Sequence, residues 1–223
     1  NQYFVKFGWA WTLVACVPFV LMTSLTYTGR NLNIVKNHLG RIAVATLAWY
    51  TFTSFFDYVD GLTGKCTHKE FLNKKFCKQN KHEWINGFDI SGHTFILMHS
   101  LFLMIEEVKI FHDWDLFHRK LVEKLKGFDT DNSERLTLDN QYKRAEILYK
   151  LFNPFIKLNF VFMSLLALLW EAMLLTTFLY FHTISHKLVA AIFAIIIWFL
   201  TYKTWYSNKK MFASPGLPGD GSI

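Results

Sequence analysis

Two histidines set the chemical question. His93 closes the triplet Ser91-Gly92-His93 just as a long apolar run begins, and His182 follows the end of another such run. With apolar segments over residues 90–110 and 158–181, both rings fall at one membrane depth. Paired imidazoles at one depth suit phosphoryl transfer without a metal. One neutral ring attacks phosphorus and carries the phosphoryl group, and a protonated partner supplies the proton to the departing oxygen. Histidine fits both roles because its pKa lies near the operating pH. Ser91 adds a hydroxyl and Gly92 an approachable backbone N–H, near a helix start whose dipole favours an anion. His186, four residues past His182, competes with it for the nucleophile's role. His38, His68, His82, His112 and His118 show no ligand spacing, so neither a metal nor another cofactor is expected.

The elements that must position these rings are read from composition. Of 223 residues, 52% are hydrophobic and 18% aromatic, and the charges gather in blocks between apolar stretches. A soluble domain scatters its charges, whereas stretches of about 20 apolar residues cross a bilayer. The fold class is therefore all-α, a polytopic helical membrane protein forming one domain over residues 1–223. Five spans are expected, at residues 7–27, 41–56, 90–110, 158–181 and 188–206. Pro18 kinks the first without ending it. The chain begins at Asn1 without an initiator Met, and a sixth span upstream is expected in the full protein.

Charge orients the bundle. Fifteen Lys and Arg residues fall on one side of the expected spans and seven on the other, so the fifteen-charge side, with the C-terminus, is read as cytosolic. Residues 57–89 then form a lumenal loop, in which Cys66 and Cys77 share a compartment that permits a disulfide. Residues 111–157 read as a cytosolic amphipathic helical hairpin, with Asn153-Pro154 as the cap and first turn of the fourth span. Residues 207–223 read as a flexible cytosolic tail. The net charge of +7 points to anionic headgroups rather than nucleic acid, because the basic residues flank spans and interleave with acids.

Carboxylates inside hydrocarbon are costly and should face partners. Glu106 and Glu107 are expected to pair with Lys109 or the basic hairpin, and Glu171 with His99. At 1.5 Å per residue, Glu107 lies roughly 21 Å deeper than His93 and Glu171 roughly 16 Å from His182, too far to reach a phosphate at the histidines.

The blocks "NQYFVKFGWAW", "GFDISGHTFIL" with "IEE", "YFHTISHKL", "WFLTYKTWY" and "SPGLP" run from Asn1 to Pro218, and on them the chain resembles the fat-storage-inducing transmembrane family. That family resembles in turn the lipid phosphate phosphatases, whose second signature holds Ser-Gly-His and whose third holds the nucleophilic histidine. The resemblance implies that His93 is the acid and His182 the nucleophile. It implies an enzyme of the endoplasmic reticulum membrane that cleaves the phosphoanhydride of fatty acyl-CoA on the lumenal side, yielding acyl 4′-phosphopantetheine and 3′,5′-ADP, with effects on lipid droplets. The chain departs from the phosphatases in lacking the basic first signature and the Arg and Asp around the nucleophile. Lys187 and the loop lysines remain as sources of positive charge, and Asp89 or Asp60 as orienting carboxylates. Phe95 and Leu97 are expected to line a lipid-filled gap for the acyl chain. Non-catalytic binding of diacylglycerol or triacylglycerol is the alternative, and a phosphatase acting on phosphatidic acid is a third reading.

Overall fold

The computed structural model describes residues 7–68, 70, 72–126, 133–180 and 183–221. Its helices are α1 (Gly8–Tyr27), α2 (Leu32–Thr63), the short α3 (Lys74–Gln79), α4 (Gly92–His112), α5 (Trp114–Lys126), α6 (Ser133–Tyr180) and α7 (Ile184–Trp198), which continues as a π-helix over Phe199–Trp205. Two-residue strands β1 (Lys65–Cys66) and β2 (Trp84–Ile85) pair antiparallel in the loop between α2 and α4. The chain is an all-α polytopic membrane protein. Among the described residues, three stretches are long and apolar enough to span a bilayer: Gly8–Tyr27, Asp139–Leu179 and Ile184–Trp205. Helix α4 fails that measure because Glu106, Glu107 and Lys109 crowd its far end, and Thr, Trp and Tyr residues lower the hydropathy of α2.

Helix α1 is packed among three of the others. It touches α2, α4 and α6, and buries Trp9, Phe19 and Val20 against Leu97 and Met104 of α4 and Met163 and Trp170 of α6. Polar side chains fix its neighbours by reaching backbone or hydroxyl acceptors: Asn159 donates to the Ala15 carbonyl at 3.0 Å and Trp170 to Thr12 Oγ1 at 3.3 Å. Pro18 lies inside α1, as expected. Helix α4 also packs against α6 and α7.

Two expectations fail here. The fourth span does not begin at Asn153-Pro154, because Pro154 lies inside the 48-residue α6. Asn153 is used otherwise: its Oδ1 accepts from Trp114 Nε1 at 3.2 Å, and Trp114 stacks on Tyr149. The side chain that reads as a cap is held by a tertiary partner, and a proline removes one ladder hydrogen bond without ending a helix that neighbours support. The tail, too, is held. Arg41 donates to the Gly216 carbonyl at 3.2 Å, the His38 ring meets the Asp220 carbonyl at 3.0 Å, and Lys209 pairs with Asp220 at 2.9 Å.

Candidate functional site

Ser91 is where the site begins. Its side chain caps α4 by accepting from the Thr94 backbone N–H at 3.3 Å and from Thr94 Oγ1 at 2.9 Å. A hydroxyl residue at this position satisfies one of the orphan donors of the first turn. Ser91 is fully buried, so it shapes the helix start more than it offers a surface. Its own backbone N–H donates to the His186 carbonyl at 3.3 Å, which ties the entrance of α4 to the first turn of α7. The His186 ring stands edge-on to Phe88, centroids 4.6 Å apart.

Around this tie the remaining predicted residues take different places. At Gly92 nothing lies within 4 Å of where a Cβ would sit, leaving room beside the helix start. His93 is half-buried and Asp89 exposed. His182 lies outside the described residues, in the connection between α6 and α7. Lys187 is not turned toward a phosphate: it is 3% exposed, and its amine donates to the carbonyls of Phe178 at 2.7 Å and Thr177 at 3.3 Å. A lysine one turn into α7 finds the unsatisfied carbonyls at the end of α6, the usual attraction of a cation to a helix C-terminus. Phe95 and Leu97 are fully buried. Phe95 packs against Phe52 and Phe56, and Leu97 joins the core around α1, so neither borders a gap.

Deeper in the bundle, His99 does not meet Glu171. Its Nε2 contacts the Ala45 carbonyl of α2 at 3.0 Å and its ring is stacked between Trp9 and Phe95, while Glu171 is exposed on α6. The two carboxylates of α4 also part company. Glu106 pairs with Lys109 at 2.6 Å, as the spacing suggests, and accepts from Trp198 at 2.9 Å. Glu107 instead receives a two-pronged contact from Arg41, both distances 2.8 Å, and the Tyr202 hydroxyl at 2.7 Å. Arg41 also contacts His38, one turn earlier on α2. Sequence reasoning missed this cluster, although the three-residue step from His38 to Arg41 puts both on one helix face.

The loop before α4 closes with a disulfide between Cys66 and Cys77, Cα atoms 5.8 Å apart. Among the described residues, no three His, Cys, Asp or Glu side chains converge as a metal site requires. A histidine in the first turn of a capped helix, with open space beside a glycine, is suited to an anion that needs proton transfer.

Comparison with known proteins gives this end of the bundle its context. Residues 1–66 and 58–202 match the family described as fat storage-inducing transmembrane protein. The chain belongs to that family. It is 37% identical over 229 residues to a protein of Drosophila melanogaster named acyl-coenzyme A diphosphatase FITM2, covering 100% of this chain and 53% of the fly protein. Proteins of the same name from Xenopus tropicalis and Homo sapiens are each 32% identical, across 98% of this chain and 73% of theirs. The chain thus spans about half the length of the fly relative and nearly three quarters of the vertebrate ones. No solved structure matches it.

Proposed function

We propose that the chain is a fatty acyl-CoA diphosphatase of the endoplasmic reticulum membrane, working on the lumenal side. The observation that carries the reading is the hydrogen bond from Ser91 N–H to the His186 carbonyl. It joins the Ser91-Gly92-His93 start of α4 to the turn of α7 that follows His182 by four residues. The printed names of the fly, frog and human relatives supply the reaction class.

In this reading a His182 ring nitrogen attacks one phosphorus of the CoA diphosphate, and the bridging P–O bond breaks. His93 gives its proton to the departing phosphate oxygen. Water then attacks the phosphohistidine and returns a proton to His93. One water is consumed, and the products are acyl 4′-phosphopantetheine and 3′,5′-ADP. Gly92 leaves the anion room to approach backbone N–H groups at the α4 N-terminus. Asp89, exposed three residues before Gly92, is the candidate to orient an imidazole.

With Phe95 and Leu97 inside the core, the acyl chain lies on the outward side chains that bracket the α6–α7 connection. Leu175 is 62% exposed, Leu179 67% and Ile184 76%. Each buried methylene contributes about 0.8 kcal/mol, so long chains are favoured. Diacylglycerol and triacylglycerol share that apolar surface but have no diphosphate for the histidines.

The test is release of 3′,5′-ADP from oleoyl-CoA by purified protein in nanodiscs, beside His93→Ala and His182→Ala. Loss of release in both variants, with folding intact, is expected. A wild type that releases none, or variants that retain full activity, would favour the neutral-lipid reading.

A further inference from the structure

The segment that delivers His93 is anchored from outside the bundle. Asp60, on the last turn of α2, is 7% exposed, and its Oδ2 meets Lys74 Nζ at 2.5 Å. Lys74 also pairs with Asp57, one turn earlier. The Asp60 backbone carbonyl accepts from Trp84 Nε1 at 3.1 Å. Gly87 packs so closely on Asp60 that a Cβ there would run into Oδ1, and no small adjustment relieves the carboxylate because Lys74 holds its other oxygen. One residue on, the Phe88 N–H donates to Thr63 Oγ1 at 2.7 Å. Two residues after Asp89 comes Ser91 and its tie to His186.

Lys74 sits on α3, inside the loop closed by Cys66 and Cys77. The disulfide and the β1–β2 pairing therefore hold α3 over the end of α2, and the lysine turns that placement into a fixed carboxylate for Gly87 to rest on. A chain with no helix or sheet of its own from residue 86 to residue 91 receives its path from these contacts.

We infer that Lys74, Asp60 and Gly87 form a clasp that positions the Ser91-Gly92-His93 helix start, with the Cys66–Cys77 disulfide keeping Lys74 within reach. The clasp touches no substrate; it acts through the segment it holds. The inference rests on the diphosphatase reading for its effect on turnover, but not for its effect on the chain. A misplacement of about 1 Å in a reacting group costs on the order of 100-fold in rate.

The experiment uses Lys74→Met, Gly87→Ala, Lys74→Arg and Cys66→Ser/Cys77→Ser in nanodiscs, with two readouts. Hydrogen exchange is followed at the amides of residues 88–95, and 3′,5′-ADP release from oleoyl-CoA is resolved into kcat and KM. Lys74→Met, Gly87→Ala and the double serine variant are expected to exchange about tenfold faster in that segment and not elsewhere in α4. Their kcat is expected to fall about 10- to 100-fold with KM within about twofold of wild type. Lys74→Arg keeps the charge and is expected to recover most of both. Unchanged exchange at residues 88–95 in Lys74→Met and Gly87→Ala overturns the clasp whether or not the wild type is active. Altered exchange with wild-type kcat overturns its role in positioning, while an inactive wild type overturns the diphosphatase reading alone.

Discussion

The two ends of the bundle handle their polar residues in opposite ways. At the Arg41 end, a guanidinium and a carboxylate, each 1% exposed, are joined by two hydrogen bonds and supplemented by Tyr202 and by the Gly216 carbonyl of the tail. At the His93 end the imidazole is half-buried, Gly92 borders open space and Asp89 is exposed. A buried charge whose bonding capacity is filled by the protein has nothing left for a substrate, and its loss is costly because the partner remains stranded. A half-buried histidine in the first turn of a capped helix, with open space beside Gly92, stands where an anion can approach from outside. Burial and charge alone draw attention to the Arg41 end, where the protein itself fills the bonding capacity of both charges.

That contrast can be broken most severely at His93. His93→Ala is expected to lower 3′,5′-ADP release by about 10²- to 10⁴-fold, the range for removal of a positioned acid or base, with thermal unfolding unchanged. The opposite end should respond in the opposite currency. Glu107→Gln leaves Arg41 buried without its counter-charge and is expected to cost about 3–5 kcal/mol of stability, seen as a lowered unfolding midpoint in detergent. The folded fraction should keep its turnover.

Smaller effects sharpen the picture. Leu179→Ser, on the outward face near the α6–α7 connection, is expected to weaken oleoyl-CoA binding by about 1–2 kcal/mol while leaving butyryl-CoA unaffected, as paired KM measurements would reveal. At Lys74, burial opposes the charge, but the hydrogen bonds it donates to Asp57 and Asp60 prevail and hold its pKa above the ordinary lysine value. A raised folded-state pKa contributes stability that is complete below the unfolded value, ~10.4, and lost as pH rises through the folded one. Protection of residues 88–95 should therefore be flat through neutral pH and decline in the alkaline range, and Lys74→Met should remove that decline. Chelation is expected to leave hydrolysis unchanged, since the imidazoles need no metal for either proton or phosphoryl transfer.

How much of this is legible in the sequence depends on whether a residue's partner is local. The apolar runs become helices, and Ser91 caps α4 where the change from polar turn to apolar run places a start. Two cysteines in one loop permit a disulfide, and the fold of that loop brings Cys66 and Cys77 together to form it. Glu106 finds Lys109 because three residues separate them on a helix. Residues whose partners lie far along the chain read differently. Lys187 reads as a phosphate clamp but serves the carbonyls that end α6; Asn153 reads as a cap but accepts from Trp114; Glu107 takes Arg41, 66 residues away. His99 turns to the Ala45 carbonyl rather than to Glu171, because counting residues places a group along its helix whereas its direction follows from how helices rotate against each other. The Gly-Pro-rich tail resembles a free end, yet its carbonyls complete the buried cluster. Periodicity specifies which face of a helix is apolar; only packing specifies what a polar group on that face meets.

The most direct test sets the two ends against each other in one assay. Wild type, His93→Ala and Glu107→Gln are purified in nanodiscs, and 3′,5′-ADP release from oleoyl-CoA per folded molecule is measured beside the unfolding midpoint. The account predicts a crossed result, with turnover lost and stability kept for His93→Ala, and stability lost and turnover kept for Glu107→Gln. Full turnover in His93→Ala, or turnover abolished in Glu107→Gln while the protein remains folded, would contradict it.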